Sequence, residues 1–285
     1  MDIQLRPGQA EDAQDCGRIC YEAFKNIAER HGFPPDFPSV EAAVGLLSKL
    51  FQMPGCFSVV AEREGRPVGS NFLWELSEVA GVGPITVDPK AQDAAVGRRM
   101  MEWVLKRAET QGFRSVRLVQ AAYHNRSLSL YTKLGFDAME PLSVMKGVPL
   151  KRILPGFTVR PAVEGDLAAC NALHRALHGY EREGELRHAI FQGTAQVVEK
   201  AGEVAGYATG IGFLGHAVAE NNDALKALIA AAPDFGMGIF LLPTRNGSLL
   251  RWCLDQGLKV SFPMTLMKRG WYQEPTGAFL PSVLY

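Results

Sequence analysis

The sequence has no surplus of charge, no long apolar run and no paired cysteines, and each lack removes a class of protein. Lysine plus arginine number 30 and aspartate plus glutamate number 30, so the formal net charge is zero. No basic patch of the density expected of a nucleic-acid binder occurs, no run of like charge marks a tail, and no nucleic-acid partner is expected. No apolar stretch is long enough to span a bilayer, so no membrane partner is expected either. The five cysteines, an odd number without paired spacing, suit reduced thiols better than a disulfide framework. Cys16 and Cys20 share a helix face, but two thiols do not make a zinc site, and no metal is expected. The opening Met1-Asp2-Ile3-Gln4-Leu5-Arg6-Pro7 lacks the apolar core of a signal peptide. Together these features predict a cytoplasmic protein.

Two short segments carry most of the remaining information. Ile85-Thr86-Val87 is β-branched and reads as the end of a strand that Pro89 stops. Gln92-Asp93-Ala94-Ala95-Val96-Gly97-Arg98 follows, and Val96, Met100, Val104 and Ala108 then recur at helical spacing. Gly112 closes that helix. A strand, a small-residue turn and a helix start aim several unbonded amide N–H groups at one point, an arrangement suited to a diphosphate. Gly97 allows close backbone approach, and Arg98 adds a positive charge. An ordinary strand–helix connection built of small residues would read the same, so the turn alone decides nothing. In the second segment, Phe113 to Ala122 reads as the next strand. Asn125 stands where it can cap a short helix bearing Ser127, Leu128 and Tyr131, which Gly135-Phe136 ends.

In this order and about thirty residues apart, the two segments resemble the acyl-CoA-binding core of the GCN5-related N-acetyltransferase (GNAT) family. The resemblance implies an α/β fold (an α+β mixed sheet), with a twisted mixed sheet flanked by helices and splayed between its fourth and fifth strands. Acetyl-CoA is the implied cofactor, with CoA as product. The family's turn, Gln/Arg-x-x-Gly-x-Gly/Ala, cradles the pyrophosphate. Gln92 and Gly97 match that pattern, and Ala95 stands at its first Gly. The implied cofactor-binding set is Ile85, Thr86 and Val87, whose amides would bond the pantetheine arm, the turn Gln92, Asp93, Ala94, Ala95, Val96, Gly97 and Arg98, and Asn125, Ser127 and Tyr131. Tyr131 takes the family's position for the acid that protonates the departing thiolate. For the general base Glu75 is favoured over Glu22, Glu78 and His124. Phe24, Phe33 and Trp74 are expected to line the acceptor site, and the rigid segment His31 to Pro38 to cover it. The expected activity is direct acetyl transfer to a primary amine of a small molecule or peptide. It needs no covalent enzyme intermediate, so the lack of a Cys-His or Ser-His-Asp arrangement does not oppose it. A homodimer is compatible with the resemblance. The alternative is a non-catalytic CoA-binding or regulatory protein.

A chain of 285 residues suits two domains, and three echoes support a duplication. Leu5-Arg6-Pro7 with Asp12 and Cys16 recurs as Val159-Arg160-Pro161 with Asp166 and Cys170. Val59 to Glu62 recurs loosely as Val197 to Lys200, and Asn125-x-Ser127 through Gly135 recurs as Asn246-x-Ser248 through Gly257 with one extra residue. The expected division is 1–147, a catalytic GNAT-like domain, a linker 148–155, and 156–285, a degenerate copy with a tail. In that copy the acidic Glu220 to Asp223 turn replaces the phosphate cradle, and Trp252 or Cys253 replaces Tyr131. Gly210 to Gly215 satisfies a dinucleotide fingerprint literally but lacks a β-α-β context. His174 and His178 lie one helical turn apart without an evident third metal ligand. The aromatic tail from Trp271 to Tyr285 is expected to dock on the body of the protein.

Overall fold

The computed structural model describes residues 3–92 and 95–284. In the first half, β1 (Gln4–Pro7) leads into α1 (Ala13–Arg30) and α2 (Val40–Gln52). The meander β2 (Cys56–Arg63), β3 (Arg66–Trp74), β4 (Val79–Val82) and β5 (Thr86–Val87) follows. It is succeeded by α3 (Val96–Gln111), β6 (Ser115–Ala121), α4 (Asn125–Lys133) and β7 (Asp137–Lys146). The second half repeats the order: β8 (Thr158–Pro161), α5 (Leu167–His178), α6 (Glu183–Phe191), β9 (Gln196–Lys200), β10 (Glu203–Ala208) and β11 (Ala217–Ala219). Then come α7 (Asn222–Ala231), β12 (Ile239–Pro243), α8 (Gly247–Asp255), β13 (Lys259–Gly270) and β14 (Ala278–Leu280). Among the described residues no helix is long and apolar enough to cross a membrane.

The duplication is visible in detail. Arg6 grips Asp12 with two bonds of 2.7 Å and reaches Glu62 at 2.7 Å. Arg160 grips Asp166 at 2.8 and 2.9 Å and reaches Glu199 at 2.7 Å. Each clamp ties the first strand of its half to the start of the first helix and to the second strand. Burial works to raise the Asp12 carboxyl, but the Arg6 guanidinium and the Gln9 amide outweigh it and hold it below its ordinary value. The strand register pairs Arg6 with Val60 and Arg160 with Val197, so Glu62 corresponds to Glu199. This corrects the loose sequence match of Val59 with Val197 by one residue.

The seam at 148–155 separates the copies in sequence but not in space. The nine-stranded sheet runs β1-β2-β3-β4-β6-β13-β7-β12, with β5 on β3. Strand β13 of the second half thus lies between β6 and β7 of the first, pairing Met264 with Ala121 through Gly270 with Ser115. On its far side β7 pairs with β12, Ile239 opposite Lys146. The two halves have exchanged their last strands. The other strands of the second half form a five-stranded sheet, β14-β11-β10-β9-β8.

Sheet faces follow from alternation along the strands. Leu73, Val116 and Leu118 join Val96, Met100, Val104 and Ala108 of α3 and Tyr131 of α4 in one apolar cluster. Each aliphatic side chain so buried contributes about 1.5–3 kcal/mol. Phe72 points the other way, to Cys16 and Cys20 of α1 and Leu47 of α2.

Candidate functional site

Strands β4 and β6 run parallel and pair from Val79–Ser115 to Gly81–Arg117. Beyond that point they part, because Thr86 and Val87 pair with Ser70 and Gly69 of β3 instead. The wedge that opens lies between residues 82–87 and the end of β6. Two buried polar groups stand at its sides without partners: the Thr86 hydroxyl and both ends of the Gln120 carboxamide. These residues are 4% and 6% exposed, and an orphaned amide or hydroxyl at such depth costs about 1–3 kcal/mol. A polar chain laid in the wedge would satisfy them. Gln120 lies on the face of β6 that carries Val116 and Leu118, the one covered by α3 and α4.

The wedge ends at the start of α3. Ala95 there is left-handed, with φ 54° and ψ 16°, and gives the helix no side-chain cap. The first amides of α3 therefore keep their bonding capacity. A left-handed alanine costs about 1–2 kcal/mol where glycine costs little, which is the physical consequence of Ala at the motif's first Gly position. Asp93 and Ala94 lie outside the described residues. Gln92 donates to the Val87 carbonyl at 3.4 Å and accepts from Arg126 at the same distance, so the turn and the start of α4 are neighbours. A methyl group on Gly97 would sit 3.6 Å from Val87 and 3.8 Å from Leu130, in ordinary contact. Arg98 is drawn along the helix by Glu102 at 2.8 Å, with both side chains exposed.

Helix α4 is capped by His124 rather than Asn125. The ring Nδ1 accepts from the Ser127 amide at 3.2 Å, and Asn125 is the first helical residue. Tyr131, 5% exposed, meets Phe136 edge-on at 6.1 Å. Burial pushes its phenol up to about 12, with the Ser127 hydroxyl pulling the other way, so it stays protonated throughout the physiological range.

The four residues weighed as general base are all engaged. Both oxygens of Glu75 accept from Arg107 of α3, at 2.5 and 2.8 Å. With both oxygens tied to one guanidinium, Glu75 leaves neither turned to an acceptor amine, which weighs against it as the base. Glu78 pairs with Arg114 at 3.3 Å and Glu22 with Arg18 at 3.4 Å, on exposed surface. His124 has its acceptor nitrogen in the helix cap. Asp36 did not figure in that set, although a lone carboxylate among Phe33, Pro34, Pro35, Phe37 and Pro38 is a visible signal. It is half-buried, and burial raises it to about 6.

The expected acceptor residues divide between two places. Phe33 stacks on Tyr123 at 4.5 Å and approaches Phe262 of β13 at 6.2 Å. Phe24 contacts Phe37 at 6.1 Å. Trp74 donates its indole N–H to the Gly83 carbonyl, at the mouth of the wedge, at 2.8 Å. It also lines a cavity of about 550 Å³ between the halves, shared with Arg182, Glu185 and Leu284.

Among the described residues the second copy has no equivalent opening. Asn221 caps α7, and Asn222 exchanges side-chain bonds of 2.9 and 2.8 Å with Asn246 at the start of α8. The helix starts that diverge in the first copy are stitched together here. Asn246 caps α8 as His124 caps α4, and Cys253 holds the place of Tyr131; Leu258 bonds back to Cys253 as Phe136 does to Tyr131. Trp252 is thereby removed as the Tyr131 equivalent. Strand β14 pairs with β11, Ala217 opposite Leu280, and lies where the wedge would be. The tail goes on to set the Leu284 carbonyl directly against Gly81 of β4. Gly210 to Gly215 joins two antiparallel strands, which removes the dinucleotide reading. His174 and His178 are buried and stacked at 4.6 Å, and no described group of three His, Cys, Asp or Glu residues is placed to hold a metal ion.

Residues 21–136 match the model of the acetyltransferase (GNAT) family. Among solved structures, a Pyrococcus horikoshii protein shares 15% identity at TM-score 0.71 over 94% of this chain and 89% of its own. A GCN5-related N-acetyltransferase from Sphaerobacter thermophilus shares 16% at TM-score 0.60, over 95% and 96%. A tandem GNAT protein from the clavulanic acid biosynthesis pathway shares 13% at TM-score 0.57, over 94% and 98%. At such identities the likeness is one of fold, and it extends over both halves. No curated protein matches the sequence significantly.

Proposed function

From a chain that carries a GNAT-family domain in its first half and a second copy of the fold after it, we propose an acetyl-CoA-dependent N-acetyltransferase. It acts on a primary amine of a small molecule or peptide, through the first half alone. The observation that carries this reading is the convergence of the uncapped α3 start, the wedge with its orphaned Gln120 and Thr86 groups, and Tyr131. The diphosphate would be held by the α3 amides, and the pantetheine arm would lie in the wedge along residues 85–87 as an added strand. Ser127 and Asn125 would flank the arm from α4.

In the reaction the neutral amine attacks the thioester carbonyl, whose developing oxyanion is stabilised by a backbone amide of the 85–87 segment. Collapse expels the CoA thiolate, and Tyr131 donates its proton to the sulfur. A buried phenol raised to about 12 is a weak acid, but a thiolate buried beside it is raised by the same desolvation, so the transfer is less uphill than in water. Most of the acceleration comes from holding amine and thioester in contact. We place the protein in the cytoplasm, with no nucleic-acid or membrane partner.

The test joins calorimetry with turnover. Acetyl-CoA is expected to bind one site per chain. A panel of primary amines (phenethylamine, tyramine, tryptamine and a lysine peptide) is expected to include one acetylated well above thioester hydrolysis. Two sites per chain, or binding without transfer to any amine, would overturn the reading.

A further inference from the structure

Glu75, Glu78, Glu22 and His124 are occupied by other partners, whereas Asp36, on the acceptor side, has none among the described residues. The acceptor side is the sheet face covered by α1 and α2, opposite α3 and α4. Asp36 lies there, in the connection from α1 to α2. Among the described residues no hydrogen-bond donor and no cation engages its side chain. The segment that carries it is anchored by aromatic contacts: Phe37, next in sequence, contacts Phe24 at 6.1 Å, and Phe33 stacks on Tyr123 at 4.5 Å. The titratable groups facing Asp36 are Cys20 from α1 and Tyr123 from the end of β6. Burial drives both upward, Tyr123 to about 12, so neither carries charge at neutral pH. A half-buried carboxylate near Tyr123, with Phe33 and Phe37 beside it in the chain and no cation of its own among the described residues, is suited to receive one.

We propose that Asp36 binds the ammonium group of the acceptor and takes its proton, and that the acceptor is a primary ammonium on an apolar or aromatic body. The inference rests on the acetyl-transfer reading and supplies the base that reading lacks. The acceptor arrives as R–NH3⁺. Asp36 takes one proton and passes it to water, leaving R–NH2 to attack. The second proton lost by nitrogen balances the one Tyr131 gives to sulfur. The sum is amide, CoA thiol and one released proton. The chemistry also has a stability signature: burial holds the folded Asp36 near 6 against an unfolded value near 3.8. Its contribution is therefore intact below about pH 3.8 and lost as pH rises through about 6.

The experiment compares the full-length wild type with Asp36→Asn and Asp36→Glu, using the panel amine that the wild type acetylates fastest. In Asp36→Asn, kcat/KM is expected to fall about a hundredfold or more, with acetyl-CoA affinity unchanged. The acid limb of the wild-type pH profile, near pH 6, is expected to disappear in Asp36→Asn and to persist in Asp36→Glu. Asp36→Asn should also melt above the wild type at pH 8 and level with it at pH 4. An Asp36→Asn protein that kept its kcat/KM and its acid limb would overturn the proposal while leaving acetyl transfer intact. Failure of the wild type to acetylate any panel amine would instead overturn the acetyl-transfer reading, and this proposal with it. A profile in which Asp36→Glu also lost the acid limb would likewise remove Asp36 as the titrating base.

Discussion

The two halves share a fold and the same Arg-Asp-Glu clamp, but where the first is open the second is closed twice over. In the first, β4 and β6 part and leave Gln120 and Thr86 without partners. In the second, β14 lies along β11 and Asn222 stitches α7 to α8. The tyrosine of the first becomes a buried cysteine in the second, raised by burial to about 12 and so inert at neutral pH. The contrast teaches that the clamp and the layered core carry the fold, whereas the two halves differ at the wedge and the helix starts, where the proposed function places the ligand. A copy that closes this opening need not lose its architecture, because a strand of its own chain fills the space.

The largest test of this comparison is to separate the halves. Residues 1–150 alone would lack β13, leaving β6 and β7 without the strand between them, and should aggregate or fail to unfold cooperatively. A soluble fragment with full activity would show that the exchanged strand is dispensable. Next comes Tyr131→Phe, which keeps the packing and removes the donor. Turnover should fall ten- to a thousandfold with acetyl-CoA affinity nearly unchanged. The matching change, Cys253→Tyr, should add no second site, since β14 and the asparagine pair still close the groove. An unaltered rate in Tyr131→Phe would assign thiolate protonation elsewhere.

Gly97→Val should weaken acetyl-CoA roughly tenfold or more while leaving the melting temperature near that of the wild type. The added Cβ meets Val87 and Leu130 at ordinary contact distances of 3.6 and 3.8 Å. Retained affinity would move the diphosphate away from α3. The smallest effect is acid sensitivity in the second half. Burial lowers His174 and His178 well below their ordinary range and His216 to about 4, despite the Glu185 carboxylate beside His216. Folded values below the unfolded 6.5 mean that this stability is complete above about pH 6.5 and drains away as pH falls towards 4. A melting temperature flat between pH 7 and 5 would contradict the shifts.

The parts of this architecture legible in sequence are those written locally. The Arg-Pro…Asp spacing marked the repeat that the structure turns into two matching clamps, and Val96, Met100, Val104, Ala108 and Gly112 forecast α3 and its end. What escaped depends on distant partners. Nothing near Glu75 in sequence reveals Arg107, so its charge read as available. Asn125 has the chemistry of a cap, but the chain turns one residue earlier and His124 takes the role. Strand β13 could satisfy its apolar alternation against either copy, since both offer the same kind of edge, and only the assembled sheet decides. Ala278-Phe279-Leu280 is too short to declare itself a strand, and pairing with β11 makes it one.

The exchanged strand also puts the wedge under the control of time. As the chain leaves a ribosome, β6 emerges roughly 140 residues before the strand that must lie beside it. At about 5–20 residues per second the wait is on the order of ten seconds. During that interval β6 and β7 lack the strand that lies between them in the folded protein. The wall of the wedge that bears Gln120 is therefore completed only after most of the second copy has been made.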